Sequence, residues 1–154
     1  MSLSRCLLLL LLLPTTVLAE PLKVFVSVLP LQTFVEAVGG EHVEVHTMVM
    51  PGQSPATYDP TPQQISALAQ TRLYVRVGVP FETHWMKRIR AANQDMKIVD
   101  AREGIELRKL HHHDHDHDHH AHENEHDPHI WTSPTLAIKI SANIRDALIA
   151  QDPG

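Results

Sequence analysis

The chain has a single cysteine, Cys6, so no intrachain disulfide can form. Cys6 sits at the front of a leucine run, away from the cleavage position where a lipid-modified cysteine would stand, and no lipid anchor is indicated. Past that run no stretch approaches the roughly 18 apolar residues of a membrane span. Positive charge is also short: 13 Lys and Arg face 18 Asp and Glu, a formal charge of −5 with histidines neutral. Without a basic patch to neutralise phosphates, nucleic acid is excluded as a partner, whereas an acidic surface attracts cations.

Residues 1–19 read as a secretory signal. Met1 to Arg5 is a short basic region, Cys6 to Leu13 is hydrophobic, and Val17-Leu18-Ala19 forms an A-x-A-like cleavage site before Glu20. The expectation is an exported protein cleaved after Ala19, with no stable membrane insertion afterwards, working as a monomer. Loss of Arg5 makes the mature chain one unit more negative. What remains suffices for one domain with a modest core.

That remainder alternates strand and helix signals, the pattern of an α/β domain with a parallel four-stranded sheet flanked by helices. Lys23 to Leu29 is nearly all apolar, as a strand covered on both faces should be. Leu31 to Val38 predicts a helix closed by Gly39-Gly40, and Val43 to Met50 a second strand bearing His46 on its surface just beyond His42. Pro51 to Pro60 is a proline-rich connection at the carboxyl end of a strand, where open α/β sheets bind ligands. A helix follows with Thr61 as cap, Pro62 at its first position and Ile65, Leu68 and Ala69 on its apolar face. Leu73 to Val77 is the third strand and Lys97 to Val99 the fourth. Between them a helix from Phe81 to Ala92 turns Phe81, Trp85 and Ile89 to the core, with His84 beside them at the surface. Ser133-Pro134 opens a last helix carrying Leu136, Ile140, Ile144, Ala147 and Leu148 at helical spacing.

The most distinctive stretch runs from His111 to His129, HHHDHDHDHHAHENEHDPH, which holds ten of the chain's 13 histidines. Imidazole is the commonest biological ligand for zinc and its neighbours, and Asp adds oxygen donors. With little helix or strand preference and no large apolar residue from His111 to His129, the run reads as a disordered, solvated loop that binds metal without folding. An expression tag does not fit an internal run broken by acidic residues. A charged loop with no ligand role is the bland alternative. His122-Glu123-Asn124-Glu125-His126 matches H-E-x-x-H, the pattern of a zinc hydrolase, but that pattern needs a helix to bring both histidines to one face, and Asp127-Pro128 follows at once. His129 differs from its neighbours because Pro128 and the Ile130-Trp131 pair pin it in place; a purely structural histidine is the alternative there.

Four segments in order carry a resemblance: P-G-x-S-P-x-T-Y-D-P-T-P at Pro51 to Pro62, V-G-x-x-F-E-x-x-W at Val77 to Trp85, the His/Asp-rich loop, and D-P-H-I-W-x-S-P at Asp127 to Pro134. Together they resemble the N-terminal half of the zinc-type periplasmic substrate-binding proteins of ABC metal transporters. The resemblance implies two α/β lobes joined by a long helix, with metal held in the cleft between them. It divides this chain into an N-terminal lobe over residues 20–132, the start of the linker helix over 133–154, and an absent C-terminal lobe. It makes His129 a direct ligand and leaves His111, His112, His113, His115, His117, His119, His120, His122 and His126 as an accessory loop. Where the family carries a ligand histidine this chain has Ala56, for which Gln53, Asp59 or a loop histidine are the candidate replacements. The chain's stop at Gly154 reads as a truncation.

The implied function is capture of Zn2+ in the periplasm and transient delivery to a membrane permease, without enzymatic activity. Zinc is preferred over manganese because the donors are chiefly imidazole. The alternatives are a stand-alone periplasmic zinc buffer or metal chaperone using only the loop, and the hydrolase using His122, Glu123 and His126. Binding of either kind should weaken as pH falls through the unperturbed imidazole pKa of about 6.5, because protons compete for the same lone pairs.

Overall fold

Val24 to Val28 are five consecutive buried residues, so the strand that contains them needs cover on both faces. In the computed structural model, which describes residues 20–109 and 126–151, that strand is β1 (Leu22–Val28), at the inside of a sheet. Its partners are β2 (Val43–Val49) on one side and β3 (Leu73–Arg76) on the other, with β4 (Lys97–Asp100) outermost beside β3. All pairings are parallel, with Val24 opposite both Val45 and Leu73, and Tyr74 opposite Ile98. The parallel four-stranded α/β sheet expected from the strand and helix alternation is therefore present.

Helices fill the crossovers. α1 (Leu29–Gly39) begins two residues earlier than the apolar pattern suggested, because Pro30 suits a first turn, and it ends at Gly40, whose φ of +53° a glycine adopts without strain. α2 (Pro62–Ala67) has the anticipated Thr61 cap, completed by Gln64: the Gln64 backbone N–H donates to the Thr61 hydroxyl, and the Thr61 backbone N–H donates to the Gln64 side chain. Its last residues tighten into a 3-10 turn over Leu68–Gln70. That turn buries Leu68 but leaves Ala69 exposed, contrary to the apolar face expected from a continuous helix.

α3 (Pro80–Ala92) buries Phe81 and Ile89, while Trp85 is only half-buried. The indole N–H explains the difference: it donates to Asp59 Oδ1 at 2.8 Å, and the Arg88 guanidinium lies over the ring at 4.7 Å. α4 (Pro134–Gln151) packs against α1, β3 and β4 through Ile140, Ile144, Ala147 and Leu148. Full burial of an Ile or Leu side chain contributes about 1.5–3 kcal/mol, so Ile140, Ile144 and Leu148 attach α4 firmly to the sheet. α1 and α4 form one helix pair and α2 and α3 the other, covering the sheet.

The strand order β2-β1-β3-β4 has a consequence for binding. The chain leaves β1 toward β2 and then returns across to β3, so its winding direction reverses between β1 and β3. Loops that leave the carboxyl ends of these strands diverge there and open a crevice.

Candidate metal centre

At that reversal lies a cleft of about 450 Å3. Leu29 and Pro30 enter it from the start of α1, Met50 from the residue after β2, Val79 and Pro80 from the turn before α3, and Trp131 from a short 3-10 turn over Ile130–Thr132. Gln53, Ser54 and Ala56 line it from the proline-bounded loop, and His129 completes it. Among the described residues His129 is the only imidazole on the cleft, and no carboxylate lines it.

Internal hydrogen bonds hold the walls. Met50 and Gln53 close a turn on each other, Gln53 N–H donating to Met50 O at 3.1 Å and Met50 N–H to Gln53 Oε1 at 2.9 Å. Ser54 Oγ accepts from Ala56 N–H at 3.3 Å, and Phe81 N–H donates to Pro55 O at 3.1 Å, which ties the loop to α3. Tyr58 is buried edge-on against Phe81 and donates to Gln64 Oε1 at 2.5 Å. Burial pushes its phenol up from the ordinary value, with the Gln64 hydrogen bond opposing.

The opposite wall rests on a fully buried carboxylate. Glu82 accepts from Gly78 N–H at 2.7 Å, from Val77 N–H at 3.2 Å, from Arg76 Nε at 3.2 Å, and from the Ser27 hydroxyl in a short hydrogen bond. A buried charge persists only when paired and fully hydrogen-bonded, and Glu82 meets both conditions. It fixes the Val77-Gly78 bend that presents Val79 and Pro80 to the cleft. Burial and the neighbouring Glu82 charge push the Tyr74 phenol far up, so it stays neutral.

His129 sits just ahead of the 3-10 turn, its ring centroid 5.2 Å from that of Trp131 at a 59° tilt. Its Nδ1 lies 2.7 Å from Asp127 Oδ1, and the same oxygen accepts from the His129 backbone N–H at 2.9 Å. These two bonds, the backbone one first, hold the Asp127 carboxyl below its usual value. With Nδ1 engaged, Nε2 is left without a hydrogen-bond partner among the described residues, and the ring is largely exposed. Asp127 and His129 also border a smaller hollow of about 280 Å3 with Glu106 and Arg108.

The other residues singled out from the sequence fall in different places. Gln53 lines the cleft with its Oε1 already accepting from Met50 N–H; Asp59 lies off the cleft, bound to Trp85. His42, His46 and His84 are exposed, and His46 pairs with Glu44 at 3.0 Å. His111, His112, His113, His115, His117, His119, His120 and His122, with Glu123, lie outside the described residues, as does the signal segment with Cys6. His126 is described: it is exposed and forms an isolated antiparallel bridge with Lys109, next to the 2.8 Å bond from Asp127 N–H to Arg108 O. A bridge is extended backbone, so His126 is not on the helix that H-E-x-x-H chemistry requires. Among the described residues no three His, Cys, Asp or Glu side chains converge.

Residues 24–154 match the family described as zinc-uptake complex component A, periplasmic. The chain belongs to this family. Similar curated proteins include the high-affinity zinc uptake system protein ZnuA of Bacillus subtilis, 32% identical over 138 residues covering 87% of this chain and 43% of that protein. The manganese ABC transporter substrate-binding lipoprotein PsaA of Streptococcus pneumoniae is 28% identical over 141 residues, covering 88% and 43% respectively. A crystal structure of ZnuA superposes with a TM-score of 0.76 at 35% identity over 87% of this chain and 48% of that one, and a zinc-bound ZnuA deletion mutant matches equally well. The chain thus spans less than half the length of these relatives. The zinc-uptake component A family consists of extracytoplasmic substrate-binding receptors of ABC transporters, not enzymes, and its members are named for different metals.

Two features of the site were not singled out from the sequence. Asp127 was read as part of a motif, although an Asp two residues before a histidine can reach both its N–H and its ring. Glu82 enters the sequence reading only as a letter of the V-G-x-x-F-E-x-x-W segment; its signal is the adjoining Val77-Gly78 bend at a helix start, where backbone N–H groups converge on an anion.

Proposed function

We propose that the chain is the N-terminal lobe of a periplasmic receptor that captures Zn2+ and passes it to an ABC-type membrane permease, with His129 as a direct ligand through Nε2. The observation that carries this reading is the Asp127–His129 pair at the edge of the cleft. A carboxylate on Nδ1 fixes the tautomer and leaves Nε2 as the free nitrogen, the arrangement found behind metal-ligating histidines. Zinc is favoured over manganese because the cleft offers imidazole nitrogen and no carboxylate oxygen. Zinc also needs four donors, so one imidazole leaves the others to a second lobe beyond this part of the relatives' length. α4, anchored to this sheet through Ile140, Ile144, Ala147 and Leu148, is the element we assign to carry the chain toward that lobe. An exported location fits the signal-like residues 1–19, and no described helix is long and apolar enough to cross a membrane.

The test is Zn2+ titration of a full-length protein carrying the second lobe, with and without residues 111–126 and with His129→Ala. Removing the loop should abolish weak, multiple binding and leave one tight site. Adding His129→Ala should remove that site. Parent-like affinity in the combined variant would refute the assignment. Several weak sites that all vanish with residues 111–126 would instead establish the buffer reading.

A further inference from the structure

The cleft is a poor cradle for a hard or four-coordinate ion, yet it is not without donors. Besides His129 it is lined by Met50, a thioether on the residue that follows β2. Most methionines of a folded domain bury their sulfur, as Met48 and Met96 do here, but Met50 is 51% exposed. Its backbone is held by the reciprocal bonds to Gln53, so its position is fixed while its side chain remains free to move. The third wall group is the Trp131 indole beside the His129 ring. The two residues of the loop that bring side-chain oxygens to the cleft are Gln53 and Ser54, and Gln53 Oε1 and Ser54 Oγ already accept from Met50 and Ala56 N–H. What the cleft presents is one imidazole nitrogen, one thioether sulfur and one aromatic face in an apolar surround.

That donor set matches a soft monovalent cation. Thioether and imidazole select Cu(I) and its redox-inert analogue Ag(I), which accept linear or trigonal coordination, and an indole face attracts a poorly solvated cation. Oxygen-seeking ions gain nothing from sulfur. We propose that this lobe alone binds a monovalent copper-group ion between His129 Nε2 and Met50 Sδ against Trp131. The proposal shares with the receptor reading the assignment of His129 as a metal ligand, but it needs no donor from a second lobe and no residue of 111–126.

The experiment uses the whole chain with its methionine methyl groups labelled with carbon-13, titrated with silver nitrate in chloride-free buffer. At saturation the Met50 methyl resonance should shift while those of buried Met48 and Met96 stay in place, and the Met50 shift should be lost in His129→Ala. Met50→Leu, conservative at a half-exposed position, should lose the cleft site. A Met50 resonance that does not move while the chain takes up Ag(I) overturns the proposal, as does a shift that survives His129→Ala. Zn2+ affinity lost in His129→Ala with the Met50 methyl insensitive to Ag(I) would overturn this inference and leave the receptor reading standing. Met50 shifting with Ag(I) while His129→Ala keeps full Zn2+ affinity would do the reverse.

Discussion

Asp127 and His129 are bound twice through a single oxygen: Asp127 Oδ1 takes the His129 backbone N–H at 2.9 Å and meets its ring Nδ1 at 2.7 Å. The backbone bond sets where the residue sits and the ring bond sets which nitrogen is free. Removing the carboxylate should therefore damage metal binding without touching the ligand. Asp127→Ala in a full-length receptor is expected to weaken Zn2+ binding by about 10–100-fold, the usual cost of losing a carboxylate behind a ligating histidine. Asp127→Asn keeps an acceptor oxygen and should lose less. Competition titration against a chromophoric chelator at pH 7.5 measures both, and equal affinity in Asp127→Ala and parent would show that the pair does not tune the ligand.

Gly78 supports the far wall of the cleft and tolerates no side chain. Its φ is +78°, and a Cβ there would stand 1.9 Å from Arg102 Nη1. Two separate penalties follow: roughly 1–2 kcal/mol for the left-handed backbone and a steric one for the displaced guanidinium, which is bound to Asp100. Gly78→Ala should cost more than either alone, about 2–4 kcal/mol in urea unfolding. Adding Arg102→Ala removes the clash and not the backbone strain. The two substitutions should thus be non-additive, and strict additivity in the double-mutant cycle would mean that Arg102 does not occupy the space over Gly78.

The same guanidinium gives the fold a defined acid sensitivity. Arg102 donates to both Asp100 oxygens, from Nε at 2.8 Å and Nη2 at 2.7 Å, and Arg76 Nε lies 3.8 Å from Asp100 Oδ2. Partial burial acts to raise the Asp100 carboxyl, but the Arg102 hydrogen bonds and charge outweigh it and hold the group below its ordinary value of 3.8. The same pairing raises the Arg102 guanidinium. A carboxyl with a depressed folded pKa contributes stability that is present above the unfolded value and disappears as pH falls through the folded one. Asp100→Asn should accordingly destabilise the domain at pH 7, by about 1.5–3 kcal/mol for charge-assisted bonds. The difference from the parent should persist to about pH 4 and shrink only below it. Chemical unfolding at pH 7 and at about pH 3 tests the sign; a difference that grew toward acid would contradict it.

The elements that sequence made legible are those whose signal is local. β1 shows as an apolar run, α4 as a stripe through Ile140 and Ile144, and α2 as a Thr61 cap followed by Pro62, because each needs only near neighbours. Ala69 misled because a helix that tightens to a 3-10 turn rotates its later residues off the apolar face. The burial of Glu82 is hard to read from sequence because a buried carboxylate runs against composition rules and depends on Ser27, which only the β1–β3 pairing brings near it. His129 stood out through Pro128 and Trp131. The resemblance already implies one site for it and the Ala56 position; that Met50 lines the same cleft follows only from the reversal of winding between β1 and β3, which no periodicity records.

Ala56 offers the most direct test of that shared cleft. It and His129 line the same opening, and the family resemblance puts a ligand histidine at the Ala56 position. The Ala56 methyl is exposed, so a larger side chain meets solvent rather than packed core, and its backbone N–H is already satisfied by Ser54 Oγ. Ala56→His should therefore fold like the parent and supply a second imidazole. Two nitrogens facing one cleft chelate where one merely attracts, and the expected gain in Zn2+ affinity is at least about tenfold, or about 1.4 kcal/mol. The gain should vanish when His129→Ala is added, because it depends on both rings reaching one ion. Zn2+ titration of the four variants, with residues 111–126 removed to suppress the background, measures the coupling directly. An Ala56→His gain that persisted without His129 would mean that the two positions do not share a metal.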